Sequence, residues 1–209
     1  MAKSKNRDWI RRHVNDPFVK QSQRDGYRSR ASYKLLELLG HNSPIKPGMA
    51  VVDLGAAPGG WSQVAAERVG DSGHVFALDL LPMDAIAGVE FIQGDFTEQA
   101  IYHQLLDLIG ERRVDLVISD MAPNLTGVKA IDQPASLYLV ELALEMAGKV
   151  LAPGGLFIAK VFQGEGFDQL VRDARRQFEQ LQMRKPEASR SASREVYLVG
   201  QGYRATAAN

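Results

Sequence analysis

A chain of 209 residues with 45% hydrophobic content is long enough to bury one full core and too short for two of ordinary size. Its 25 Lys and Arg balance 25 Asp and Glu, and the absence of Cys excludes disulfides, Cys-ligated zinc and a thiol nucleophile. No stretch approaches the roughly 18 apolar residues of a membrane span and no apolar run follows the charged amino-terminus, so a cytoplasmic protein without membrane contact is expected.

The neutral total hides an uneven distribution. Between Met1 and Lys34 stand Lys3, Lys5, Arg7, Arg11, Arg12, Lys20, Arg24, Arg28, Arg30 and Lys34, opposed by Asp8, Asp16 and Asp25. A second cationic group, Arg172, Arg175, Arg176, Arg184, Lys185, Arg190 and Arg194, lies towards the other end. Two basic segments around a more acidic middle suit a polyanionic partner better than a neutral small molecule. His13, His41, His74 and His103 show no ligand spacing, so no metal is expected.

Residues 1–28 are polar and lack apolar periodicity, which predicts a flexible basic arm. Ala31, Leu35, Leu38 and Leu39 recur at helical spacing before Gly40, predicting a helix over 29–39 that carries Lys34. Beyond it, apolar runs at 50–54, 75–79, 89–93, 114–119, 156–162 and 196–200 alternate with helical patterns at 60–69, 98–109, 134–151 and 167–181. Near-continuous apolar strands separated by helices predict an α/β fold with a mostly parallel, doubly wound sheet. A possible short strand around Met183 and the final strand suggest an antiparallel strand at the sheet edge. Residues 29–201 thus form one domain, and 202–209 a frayed tail.

The first strand ends in Asp53-Leu54 and runs through Gly55-Ala56-Ala57-Pro58-Gly59-Gly60-Trp61 into a helix, where small residues let a ligand approach the backbone. Asp79 ends the next strand, placed to accept the hydroxyls of an adenosine ribose. Asp95, after the third strand and beside Phe96, is placed to hold an adenine amino group. A dinucleotide loop reads G-x-G-x-x-G so that backbone amides hold a pyrophosphate. Ala57 and Pro58 interrupt that pattern, and Pro58 lacks an N–H. S-adenosylmethionine fits this loop better than NAD.

Strand four ends in Asp120, at the edge where open α/β folds bind ligands. Lys160 sits inside the apolar run Leu156 to Phe162, where an ammonium needs a partner or a wet crevice. One reading is a structural pair with Asp120; the other is a charged pair in a working cleft. Spacing alone does not show that Lys34 or Glu195 joins them.

Five motifs in order, Ser29-Arg30-Ala31-Ser32-Tyr33-Lys34-Leu35, Asp53 to Trp61, Asp120-Met121-Ala122-Pro123-Asn124, Lys160-Val161-Phe162-Gln163-Gly164 and Ser193-Arg194-Glu195, closely resemble the FtsJ/RrmJ family of ribose 2'-O-methyltransferases. The likeness covers about Val14 to Val199; Thr126, where relatives often carry Ser, is a mild departure. The resemblance implies a Rossmann-like class I S-adenosylmethionine-dependent methyltransferase acting on a uridine of 23S ribosomal RNA, within the large ribosomal subunit, as a monomer. It implies a catalytic tetrad of Lys34, Asp120, Lys160 and Glu195. It places cofactor contacts at Gly55, Gly59, Trp61, Asp79, Asp95 and Asp120.

Cations interleaved with Trp9, Phe18 and Tyr27 suit RNA phosphates and exposed bases, and Arg28 and Arg30, beside Lys34, are expected to contact phosphate. Three alternatives stand beside this reading: a methyltransferase for another RNA, one for a small molecule, or a non-catalytic RNA-binding module.

Overall fold

The computed structural model describes residues 15–41, 43–124, 126–190 and 193–205, so the expectations for 1–14, including Trp9, and for 206–209 lie outside the described residues. Helical structure begins inside the segment expected to be an arm. Asp16 accepts the N–H of Phe18, Pro17 occupies the first turn, and Gly26 ends the helix at φ 76°, giving α1 (Pro17–Asp25). Only Val19 and Ser22 are buried on it, too few for a periodic apolar face. Its anchorage is aromatic instead: the Phe18 and Tyr27 rings lie 5.7 and 5.6 Å from that of Tyr33. Tyr33 belongs to α2 (Ala31–Leu39), which also buries Leu35, Leu38 and Leu39.

Then follow β1 (Ala50–Leu54), α3 (Gly60–Val69), β2 (His74–Asp79), β3 (Val89–Gln93), α4 (Gln99–Ile109) and β4 (Val114–Ser119). The second half comprises α5 (Lys129–Val150), β5 (Leu151–Phe162), α6 (Phe167–Gln177), β6 (Phe178–Arg184) and β7 (Glu195–Tyr203). The seven strands form one sheet in the order β3-β2-β1-β4-β5-β7-β6. Strands β1 to β5 are parallel. β7 pairs antiparallel with both β5 and β6, so the antiparallel pairing expected at that edge is present, with β6 outermost. The order reverses between β1 and β4, and the crevice beyond their carboxyl ends is where such sheets bind ligands.

Some boundaries differ from the sequence reading. α5 starts at Lys129 and carries Pro134 inside it, β5 extends back to Leu151, and α6 stops at Gln177. β6 then spans Phe178–Arg184, longer than the short strand expected, and Phe178 packs over Gly200, whose absent Cβ would lie 2.8 Å from that ring.

The two faces of the sheet carry separate cores, one under α4, α5 and α6 and the other under α2 and α3. Side chains alternate along a strand. Phe157, Ala159 and Val161 enter the first core and Ile158 the second, which puts Lys160 on the α2 and α3 face. Val196 and Leu198 likewise enter the first core and Tyr197 and Val199 the second, so Glu195 shares that face. Register then pairs Lys160 with Tyr197 and Phe162 with Glu195.

Candidate active site

The turn after β1 is shaped by close backbone approach. Gly55 has φ 80°, and a Cβ there would meet Met121 Cγ at 2.7 Å and Met121 N at 2.9 Å, so only glycine lets the segment after β4 lie against the turn. Gly55 and Ala56 donate to the Leu78 carbonyl at 2.9 and 3.1 Å. Gly60 opens α3 against α2: the Ser32 hydroxyl donates to its carbonyl at 3.0 Å. Trp61 is 2% exposed, donates from Nε1 to the Ala31 carbonyl at 2.7 Å and lies 5.8 Å from the Tyr197 ring. A narrow crevice of about 20 Å³ is lined by residues that include Gly55, Pro58, Trp61 and Asp120. A separate groove of about 810 Å³, between Phe18, Tyr33, Arg68 and Pro186, shares none of its lining.

Two carboxylates border the turn at neighbouring strand ends. Asp79 accepts the Ala57 and Leu81 N–H groups at 2.8 and 2.7 Å, one on each oxygen. Asp95 uses Oδ1 for the Thr97 N–H and hydroxyl, at 2.9 and 2.7 Å. Asp79 keeps a second lone pair on each oxygen and Asp95 keeps its Oδ2, so both side chains retain capacity for ligand donors. The donor set and the glycine cradle fit a cofactor with a ribose, an adenine and a short polar tail.

A third carboxylate, Asp53 of β1, is fully buried beneath the turn. Its Oδ2 accepts the Ser62 hydroxyl at 2.6 Å and its Oδ1 has no hydrogen-bond partner among the described residues. Burial pushes its pKa up to about 7, the Ser62 hydrogen bond opposing and the charges of Asp120 and Asp79 adding to the rise. The sequence shows Asp53 in the motif but gives no sign of this isolation.

Beyond the crevice, two ion pairs converge. Lys160 Nζ lies 3.1 Å from Asp120 Oδ1 and donates to the Asp120 carbonyl at 2.5 Å. Lys34 Nζ, brought by α2, lies 2.8 Å from Glu195 Oε1, with side chains only 12% and 11% exposed. Tyr197 links the pairs: its hydroxyl donates to Asp120 Oδ1 at 2.9 Å, and Lys34 Nζ sits 5.7 Å from its ring centre. Burial, then Asp120, raises the Tyr197 pKa far above its ordinary value, keeping it a neutral donor. Burial, the largest influence, would raise Glu195, but the Lys34 ammonium with the Ser189 hydroxyl and the Lys160 charge together outweigh it and hold the carboxyl below its usual range. The four charged residues named from the sequence therefore come together. Tyr197 is the member sequence reasoning missed, since its role follows from register opposite Lys160.

The two arginines expected at RNA phosphates are engaged within the protein. Arg30 pairs with Asp16 and donates to the Ala188 carbonyl, its guanidinium lying over the Phe18 ring. Arg28 donates from Nη1 to the carbonyls of Pro58 and Asp84 and from Nη2 to that of Ala85, at 3.4, 2.6 and 2.7 Å. Neither guanidinium stands free, because ordering of α1 and the following turn folds them back onto the domain. Among the described residues no group of three or more His, Asp or Glu side chains is placed to hold a metal ion, and no helix is long and apolar enough to cross a membrane.

The sequence model described as FtsJ-like methyltransferase matches residues 27–203. A relative from Marinobacter nauticus, named Ribosomal RNA large subunit methyltransferase E, is 63% identical over 203 residues, covering 97% of this chain and 98% of its own. One of the same name from Pseudomonas aeruginosa is 59% identical over 98% of this chain and 99% of its own. Among solved structures, a Plasmodium falciparum protein assigned as a ribosomal RNA methyltransferase superposes with a TM-score of 0.75 at 29% identity, over 85% of this chain and 98% of that one. With a match that spans the Gly55 to Trp61 turn and both ion pairs, the chain belongs to the FtsJ-like methyltransferase family.

Proposed function

We propose that this protein methylates a uridine ribose 2'-hydroxyl in 23S ribosomal RNA, acting in the cytoplasm as a monomer on the large ribosomal subunit. The observation that carries the reading is the meeting of the Lys160–Asp120 and Lys34–Glu195 pairs beside the Gly55 to Trp61 turn. The names of the near-full-length relatives support ribosomal RNA as the substrate.

S-adenosylmethionine supplies an electrophilic methyl group on a sulfonium. Asp79 would hold the ribose hydroxyls, Asp95 the adenine amino group, and the backbone from Gly55 to Gly59, with Trp61 behind it, would receive the remainder. A ribose hydroxyl is a poor nucleophile, so a base must take its proton as the oxygen accepts the methyl group that the bound cofactor would supply. Lys160 takes that proton at Nζ after passing its own to solvent. Asp120, 3.1 Å away, then stabilises the ammonium. Lys34, held by Glu195 and by the Tyr197 face, steers the hydroxyl, and the fixed placement of the acceptor would supply much of the acceleration.

The test is transfer of labelled methyl from S-adenosylmethionine to large subunits lacking their own modification, followed by nucleoside analysis. Label in 2'-O-methyluridine is expected. Label on a base or another ribose overturns the assignment, and bound cofactor without transfer points to a non-catalytic RNA-binding role.

A further inference from the structure

Residues 80–88, between β2 and β3, form no helix or strand, yet they close over the turn that follows β1. Leu80 and Leu81 face solvent at 56% and 61% exposure, while Met83 and Ile86 fold inward. Gly59 lies under them at φ 106°: a Cβ there would meet Ile86 Cδ1 at 2.8 Å, and Met83 Sδ and Arg28 Cδ at 3.0 Å each. Two segments distant in sequence, one at Arg28 and one at Met83 and Ile86, therefore pack on one glycine of the turn after β1.

Arg28 fastens them together. Its guanidinium takes the adjacent carbonyls of Asp84 and Ala85 on separate nitrogens, 2.6 and 2.7 Å away, and reaches back to the Pro58 carbonyl at 3.4 Å. The arginine is itself positioned from α3. Gln63 accepts the Arg28 N–H at 3.1 Å and donates to the Gly26 carbonyl at 3.0 Å. A planar fork with several donors can span two successive carbonyls; an ammonium on a flexible stem cannot hold both in that geometry.

We propose that Arg28 is a positioning residue of the cofactor pocket, which it completes by fastening the 80–88 loop over the Pro58-Gly59 turn, so that the cationic amino-terminal segment is built into the methyl-donor site. The loop begins immediately after Asp79, whose Oδ1 accepts the Leu81 N–H at 2.7 Å. Releasing the Asp84 and Ala85 carbonyls frees the wall next to the ribose-binding carboxylate. A phosphate contact, by contrast, needs a guanidinium turned outward.

The inference rests on the S-adenosylmethionine reading, and its test separates the two. Binding of S-adenosylmethionine and of ribosomal RNA is measured for the full-length wild type, Arg28→Lys and Arg28→Ala, with the cofactor KM and the kcat of methyl transfer. Failure of the wild type to bind S-adenosylmethionine removes the parent reading. Given wild-type binding, both variants should lose about tenfold in cofactor affinity through KM, with kcat at saturating cofactor falling less than twofold. RNA affinity and its salt dependence should stay within about twofold. Hydrogen exchange at the 80–88 amides should accelerate in Arg28→Lys, a readout that keeps the proposal testable if Arg28→Ala does not fold. Wild-type cofactor affinity in Arg28→Lys overturns it. So does loss confined to RNA binding in Arg28→Ala with rescue by lysine, the pattern of a phosphate contact.

Discussion

Lys160 and Asp53 are both buried ionisable residues of central strands, but they serve different ends. Lys160 has two partners on Asp120 and faces the crevice side, so Lys160→Ala should lower methyl transfer by roughly 10²–10⁴-fold while leaving cofactor affinity within a few fold. Near-normal turnover by that variant would sink the proton-accepting role. Asp53 has an unpartnered oxygen and a pKa of about 7 in the folded chain, against roughly 3.9 when unfolded. The folded state then binds the extra proton between those values, so this position loses stability as pH rises from about 4 to about 7 and levels off above. Asp53→Asn should flatten that decline, gaining on the order of 2 kcal/mol over the wild type near pH 8. Urea unfolding at pH 5 and pH 8 reads the difference, and parallel curves for the two proteins would exclude it. Glu195 carries the opposite sign. Its folded pKa is lowered, so its stabilisation is present at neutral pH and is lost as pH falls through that folded value.

Individual elements explain which parts of the fold were readable in advance. The β1 and β4 ranges were read correctly because strands covered on both faces are apolar almost without interruption. β6 was largely hidden, since Glu179, Gln180 and Gln182 are exposed on an edge strand and dilute the pattern. α1 carries its signal in the Asp16-Pro17 start and the Gly26 stop rather than in an apolar stripe, so periodicity does not reveal it. Capping can be tested directly: Asp16→Ala removes both the α1 cap and the Arg30 partner, and should lower stability by about 1–2 kcal/mol in chemical denaturation. At the cofactor turn, Gly55→Ala forces a Cβ against the Met121 backbone from a positive φ and should cost about 2 kcal/mol or more. It should also weaken cofactor binding in titration; an unchanged affinity would mean the turn relaxes without moving Asp120.

At the scale of the whole molecule, a neutral protein is expected to bind a polyanion through local charge. RNA affinity should therefore fall roughly tenfold or more between about 50 and about 200 mM salt, through release of counterions from neutralised phosphates. Filter binding across that range checks it, and a flat response would remove the basic segments as the docking surface. The composition pointed to this partner, and the motifs to the chemistry, but the assembly of the site was not legible. Lys34 and Glu195 stand near opposite ends of the sequence, and only the placement of β7 between β5 and β6, on the face shared with α2, brings them within 2.8 Å. Tyr197 enters by the same route. That strand order also sets a condition on the timing of synthesis. A growing chain that has emerged as far as β5 already has the cofactor turn, Asp120 and Lys160, yet lacks the strand bearing Glu195 and Tyr197. The charged set closes only when the last strand slides in beside β5, so an unfinished or carboxyl-truncated chain would be born with a donor pocket and no complete acceptor site.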